Sequence, residues 1–418
     1  MSAATPDAAA IPGVSPDDDG VDGFAASEPM LHWNEGGTER AARWRSERGS
    51  PPPKRVLVVD DTLPADAAYR LACEGTALLW RGDFHNATQI LQAMARRVER
   101  TPARKQRQRT SAPAAPASPA EAFHQHRLAQ SQRARVLASL LLPFDPDYGI
   151  PLRRAPDARV ACTEAWGPAD GRDGPSVASL RQLLGIISAH EWRRKGVAIP
   201  ALGDPPDNRI HPHYGVFSPV RGEYVSLVAS APLPSTDQTP YIAFDVGAGT
   251  GVLAALLARR GVGRVVATEH DRRALECARD NIVRLGVADR VAVVAADLFP
   301  DGLASLVVCN PPWLPARASA PIERAVYDED GRMLWGFLRG LAGHLVPGGE
   351  GWLVLSDIAE HLGLRTREEL LGAFERNRLK VLDRLDTRPR HPKASDPNDP
   401  LHAARAAEIT SLWRLGRA

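Results

Sequence analysis

Long apolar runs are missing from this chain: nothing in its 418 residues approaches the ~20 consecutive apolar positions that a membrane-crossing helix needs. Cysteine is scarce. Cys73, Cys162, Cys277 and Cys309 are the four present, and none forms a C-x-x-C pair. That spacing argues against a zinc site and a disulfide framework and fits a reducing cytoplasm. No basic stretch followed by an apolar core opens the chain, so no secretory leader is expected. A charge excess is missing too. The net charge is +2, so total charge does not point to nucleic acid. What is present is a 44% hydrophobic fraction, enough to build cores for two or three domains.

Residues 1–50 are rich in Ala, Pro, Gly, Ser and Asp, a composition that predicts a solvated, disordered tail. The run Asp17-Asp18-Asp19-Gly20 lacks the spaced ligands and closing Glu of a calcium loop. Residues 51–200 read as a mostly helical accessory domain. Val56–Val59 is a short strand candidate, and residues 66–80, 86–100, 121–142 and 176–195 read as helices. Ile90, Leu91, Met94 and Val98 share one face of the second helix, and Ser176 is placed as the N-cap of the last. Between 96 and 109 stand Arg96, Arg97, Arg100, Arg104, Lys105, Arg107 and Arg109 against one acid, Glu99. With the Pro/Ala-rich stretch near 100–120, this reads as a basic linker, or as an electrostatic arm for RNA without interleaved aromatics.

From residue 201 to 418 strand and helix patterns alternate, as a parallel, Rossmann-like α/β sheet requires. Phe244-Asp245-Val246-Gly247-Ala248-Gly249-Thr250-Gly251 reads as a buried strand, a glycine turn and a helix start. Glu269 follows Gly247 by 22 residues and ends the next strand. A carboxylate there can accept both hydrogen bonds of a ribose diol. Asp297, with Leu298 beside it, ends the third strand, and Asn310-Pro311-Pro312-Trp313 ends the fourth. In an open α/β sheet these strand ends line one crevice. Val252 stands where a dinucleotide fingerprint has its third Gly, which disfavours a nicotinamide cofactor.

In that order these stretches resemble a class I S-adenosylmethionine-dependent methyltransferase, over about residues 210–418. The Asn-Pro-Pro-aromatic motif resembles enzymes that methylate a planar amide or exocyclic amino nitrogen, on protein glutamines, DNA adenines or RNA bases. Pro219-x-Arg221-x-Glu223 and Tyr327-Asp328-Glu329-Asp330-Gly331 are similar to segments of release-factor glutamine methyltransferases, with Trp313 where those carry Tyr.

The resemblance implies roles. Asp245 with the backbone of Gly247, Gly249, Thr250 and Gly251 would hold the methionine part of S-adenosylmethionine. Glu269 would bind the ribose, and Asp297 the adenine amino group beside Leu298. Asn310 and the Pro311 carbonyl would grip the acceptor NH2, Pro312 would stiffen the loop, and Trp313 would pack on the acceptor's planar face. No metal and no membrane are required. The favoured acceptor is a glutamine of a translation factor or ribosomal protein. An RNA or DNA base is the alternative, and a non-catalytic RNA-binding module a further one. Arg388, Arg390, His391 and Lys393 form a basic loop at a position that carries substrate contacts in this fold.

Overall fold

The computed structural model describes residues 29–108, 118–169, 174–220, 222–235, 240–390, 396–397 and 399–418. Two sheets organise them. The first begins where a tail was expected. Met30–Glu35 (β1) and Thr38–Trp44 (β2) form an antiparallel hairpin around Gly36 and Gly37, both at positive φ. The tail expected over 1–50 is therefore corrected from residue 30 onward. Its overall composition is polar, but Leu31, Ala42 and Trp44 are buried together on one face, which suffices to order a hairpin.

Next come Val56–Val59 (β3), Ala65–Cys73 (α1), Ala77–Trp80 (β4), Phe84–Gln108 (α2), Pro119–Leu137 (α3), Leu140–Phe144 (β5), Arg159–Trp166 (α4), Ser176–Ser179 (β6) and Leu180–Lys195 (α5). Helices supply most of this regular structure, yet they are built on a six-stranded sheet of order β1-β2-β6-β5-β4-β3. A mostly helical domain was expected, and three strands were read as parts of helices. Ala77–Trp80 and Leu140–Phe144 are buried at every position. A continuous apolar run has no period of its own, and burial among neighbouring strands decides its state. Pro143 lies inside β5 rather than ending a helix. The cap of α5 is Ser179, whose hydroxyl accepts from Gln182 N, rather than Ser176. The basic run lies partly on α2, where Arg97 pairs with Asp66 at 2.6 Å. From Arg100 to Arg109 its side chains lie outside the described residues.

The second domain opens with the small hairpin Val197–Ala198 (β7) and Arg209–Ile210 (β8), then Glu223–Ser230 (α6). Its main sheet uses Ile242–Val246 (β9), Arg264–Glu269 (β10), Val291–Ala295 (β11), Ala304–Cys309 (β12), Leu345–Ser356 (β13), Leu379–Thr387 (β14) and Thr410–Arg417 (β15). Between them lie Val252–Arg259 (α7), Arg272–Arg284 (α8), Arg332–Leu341 (α9), Ile358–His361 (α10), Arg367–Arg376 (α11) and His402–Ala407 (α12). The strand order is β11-β10-β9-β12-β13-β15-β14. β9 to β13 run parallel, and β15 runs antiparallel to both its neighbours. Apolar clusters cover both faces of this sheet, as a doubly wound fold demands. The strand order reverses at β9, so the crevice of the sheet opens at its C-terminal end.

Candidate functional site

Gly247, Gly249 and Gly251 leave β9 with φ of +74°, +56° and +77°, a region that residues with a Cβ rarely enter. A Cβ on Gly247 would lie 2.3 Å from Met333 Cε. Gly251 instead packs its Cα side on the backbone of Ala278, so it shapes the turn from behind and does not line the cleft. Asp245 is buried, and its Oδ2 accepts from Ala254 N at 2.9 Å. Burial pushes this carboxyl up to about 7, against the pull of that amide, and nearby Glu269 adds to the rise. Glu269 joins its strand end to the glycine turn. Its Oε2 accepts from Gly249 N at 3.0 Å, and its Oε1 from His270 N and Asp271 N at 2.9 and 3.0 Å. Thr250 is buried, and its carbonyl accepts from Asn281 Nδ2 at 3.2 Å. Asn281 went unread in the sequence. Its fully buried amide also accepts from His211 N at 2.7 Å and so fixes the segment leading into the domain.

Asp297 is exposed and pairs with Arg332 at 2.6 Å. Leu298 takes φ of +70°, and its carbonyl accepts from Thr268 Oγ1. Glu223, at the head of α6, accepts from Arg390 N at 2.7 Å. Arg221, His391 and Lys393 lie outside the described residues.

At the end of β12 the loop Asn310-Pro311-Pro312-Trp313 turns into the same cleft. Trp313 Nε1 donates to Asn310 Oδ1 at 3.0 Å. The half-buried indole packs against apolar clusters on both sides. The loop returns through Leu314, whose N donates to Val326 O and whose O accepts from Asp328 N, at 3.1 and 2.8 Å. Asp328 is a structural residue that the sequence left without a role. Its buried carboxylate accepts from Met333 N and Leu334 N at 3.0 Å and caps α9. A sequence signal existed: a carboxylate a few residues ahead of an amphipathic helix.

One cleft of about 430 Å³ brings together Asp245, Gly247, Gly249, Thr250, Glu269, Asp297, Leu298 and the whole Asn310–Trp313 loop. Its remaining wall was not read in the sequence. It includes Phe217 and Tyr224 beside the glycine turn, and Phe123 and His126 from α3 of the first domain.

Residues 207–380 match the family model of the methyltransferase small domain. Among curated relatives, the chain is 40% identical over 183 residues to the release factor glutamine methyltransferase of Mycolicibacterium smegmatis, covering 41% of this chain and 63% of that protein. It is 49% identical over 69 residues to the ribosomal protein L11 methyltransferase of Pelotomaculum thermopropionicum, 16% of this chain and 22% of that one. It is 39% identical over 113 residues to the tRNA1(Val) (adenine(37)-N6)-methyltransferase of Pectobacterium carotovorum, 25% of this chain and 44% of the relative. The chain thus spans less than two thirds of the length of each of these relatives.

Proposed function

Taking residues 207–380 as a methyltransferase small domain, we propose that this chain moves a methyl group from S-adenosylmethionine to a planar amide or exocyclic amino nitrogen. The observation that carries this reading is the convergence of the glycine turn and the Asn310–Trp313 loop on one cleft. The residues fit the donor. The left-handed turn brings bare backbone at Gly247 and Gly249 to the cleft, with the Met333 side chain facing Gly247. Glu269, which already takes three backbone N–H bonds, keeps an acceptor position on Oε2 for a ribose hydroxyl. Asp297, paired with Arg332 through Oδ2, keeps Oδ1 for an exocyclic amine. S-adenosylmethionine supplies a methyl group already activated by the positive sulfur.

What the chain itself must do is sharpen the nucleophile. A conjugated nitrogen is sluggish because its lone pair is delocalised. Asn310 Oδ1 and the Pro311 carbonyl accept its two N–H bonds, draw it toward tetrahedral geometry and localise that pair. One lone pair of Oδ1 is held by the Trp313 indole, and the other remains for the substrate. The indole face supplies a flat apolar wall. The methylated nitrogen would carry the positive charge and shed one N–H proton to water, so catalysis is positioning and electrostatics, with no strong base needed.

The favoured acceptor is a glutamine amide on a translation factor or ribosomal protein in the cytoplasm. The match to the release-factor relative, longer than those to the L11 and tRNA enzymes, supports it. The shorter match to a tRNA adenine enzyme supports a nucleobase as the second reading. The test is radiolabelled methyl transfer into a lysate of cells lacking the protein, followed by protease or nuclease. Asn310→Ala is expected to lower kcat by about 10²–10³-fold, the scale of one lost transition-state hydrogen bond, with cofactor affinity by calorimetry unchanged. Full turnover in that variant would refute the mechanism. Cofactor binding without transfer to any acceptor would mark a non-catalytic module.

A further inference from the structure

The loop that carries Asn310 and Trp313 is held from outside its own domain. After Trp313 the chain runs out past Arg317 and Ser319 and returns through Tyr327. The two limbs meet where Leu314 N donates to Val326 O and Asp328 N to Leu314 O. One side chain of α3 grips both limbs. Arg127 Nη2 donates to the Arg317 carbonyl at 2.7 Å and to Ser319 Oγ at 3.5 Å on the outgoing limb. Its guanidinium lies 4.0 Å from the centre of the Tyr327 ring on the returning one. One turn earlier on the same helix, Phe123 is 2% exposed and packs with Ile358, Leu362, Leu401 and Ala404. Trp313, Leu314 and Tyr327 lie against that cluster too. The first domain thus meets this loop at two points, one apolar and closed, the other a cation on backbone and ring.

The grip bears on chemistry because of what stands at the inner end of the loop. Trp313 Nε1 donates to Asn310 Oδ1 at 3.0 Å, so a shift of the indole carries the amide oxygen with it. Misplacing a positioning group by about 1 Å can cost about 10²-fold in rate. The glycine turn has its own supports inside the second domain, in Thr268, Glu269 and Asn281. α3 therefore bears on one side of the cleft and leaves the other to the second domain.

We propose that Arg127 is a positioning residue for the transfer step: through Arg317 and Tyr327 it sets the Trp313 indole, and through the indole the Asn310 oxygen. The inference rests on the N-methyl reading and does not choose between its acceptors. It gives the first domain a part in the reaction that is separate from holding the donor.

The test compares full-length variants in initial rates of radiolabelled methyl transfer, at saturating S-adenosylmethionine, into a lysate of cells lacking the protein. Arg127→Ala is expected to lower the rate about tenfold, with cofactor affinity by calorimetry unchanged. Arg127→Lys keeps a donor for the Arg317 carbonyl but has no flat face for the ring, and is expected to restore part of the rate. In an Asn310→Ala background the Arg127→Ala change is expected to cost less than about twofold, because the group it positions is gone. A residue that only stabilised the fold would cost the same in both backgrounds. Amide hydrogen exchange reads the grip without any acceptor. In Arg127→Ala, the Leu314 and Asp328 amides are expected to exchange about tenfold faster, and those of Gly247 and Ala248 at the parent rate. An unchanged transfer rate, equal losses in the two backgrounds, or exchange that quickens at the glycine turn as well would overturn the proposal. Absent transfer by the parent chain, with the exchange difference intact, would mark failure of the methyl-transfer reading rather than of the grip.

Discussion

Where β3 ends in the first domain, the chain runs Asp60-Asp61-Thr62-Leu63-Pro64 into α1; where β9 ends in the second, it runs from Gly247 to Gly251 into α7. Both turns sit at a parallel strand's C-terminal end, the usual place for a ligand crevice. The first is filled from within. Asp61 accepts from Asp83 N at 3.0 Å and from Asn86 Nδ2 at 3.0 Å. Buried Asp83 in turn accepts from Arg153 Nε at 2.9 Å and Arg154 Nε at 2.6 Å. The Arg154 guanidinium holds the Asp83 carboxyl well below the usual carboxylate range. The second turn also bonds its amides within the protein, Gly247 and Ala248 N to Thr268 O, Gly249 N to Glu269 and Gly251 N to Ala248 O, but no side chain of its own fills the cleft at Gly247 and Gly249. Sheet topology therefore does not decide which crevice takes a ligand. What differs is whether side chains fill the space beyond the turn: Asp61, Asp83 and Asn86 do so in the first, and bare glycines face the cleft in the second.

Three changes would break or sharpen this contrast. The largest effect is expected from Gly247→Val. A β-branched residue at φ of +74° carries left-handed strain of about 1–2 kcal/mol and pushes the Met333 methyl, 2.3 Å from its Cβ, into the cleft. Cofactor affinity by calorimetry should fall at least about tenfold, because the new side chain and the displaced Met333 occupy the space beside the turn. Unchanged affinity would mean that the open turn is not the cofactor's cradle.

A smaller and different effect is expected from Asp83→Asn. Thermal unfolding should shift to lower temperature while cofactor affinity holds, because this charge serves the filled crevice alone. The sign follows from linkage. Asp83 is depressed below its unfolded value of 3.8, so its stabilisation is present above that pH and is lost as pH falls further into acid. Melting temperature should therefore separate the two proteins at neutral pH and converge in strong acid. A loss of cofactor affinity in this variant would couple crevices that the structure keeps apart.

The smallest effect is expected from Asp245→Asn. This carboxyl is raised from 3.8 to about 7, so its contribution is full below pH 3.8 and is lost as pH climbs through 7. The unliganded protein should lose melting temperature over that window, and the asparagine variant should lose less. Parallel curves for the two proteins would show that Asp245 is not held protonated.

The glycine-turn side of the cleft was legible because its signals are local. Glycines at fixed spacing, Glu269 at a strand end and a Pro-Pro loop after an apolar run each need only a few neighbouring residues to be read. The first domain was harder. Ala77–Trp80 and Leu140–Phe144 are apolar throughout, so nothing in their pattern separates strand from helix. The β1–β2 hairpin was hidden by the polar composition around it, although Gly36-Gly37 between Trp33 and Trp44 was a usable turn signal. The apolar wall beside Trp313 could not be read at all. Phe123, Ile358 and Leu401 come from three distant segments that meet only in the folded chain, and no single stretch carries their pattern.

The hydrogen bond from the Trp313 indole also gives the floor of the cleft a polarity. If the Asn310 amide turned end for end, it would set two donors against each other, so its oxygen stays toward the indole N–H. A visitor that brings only lone pairs, such as an ester, an ether or a ketone, finds nothing there to bind and is repelled. On the proposed reading, the loop would then favour molecules with hydrogens to give, before any methyl group is in play.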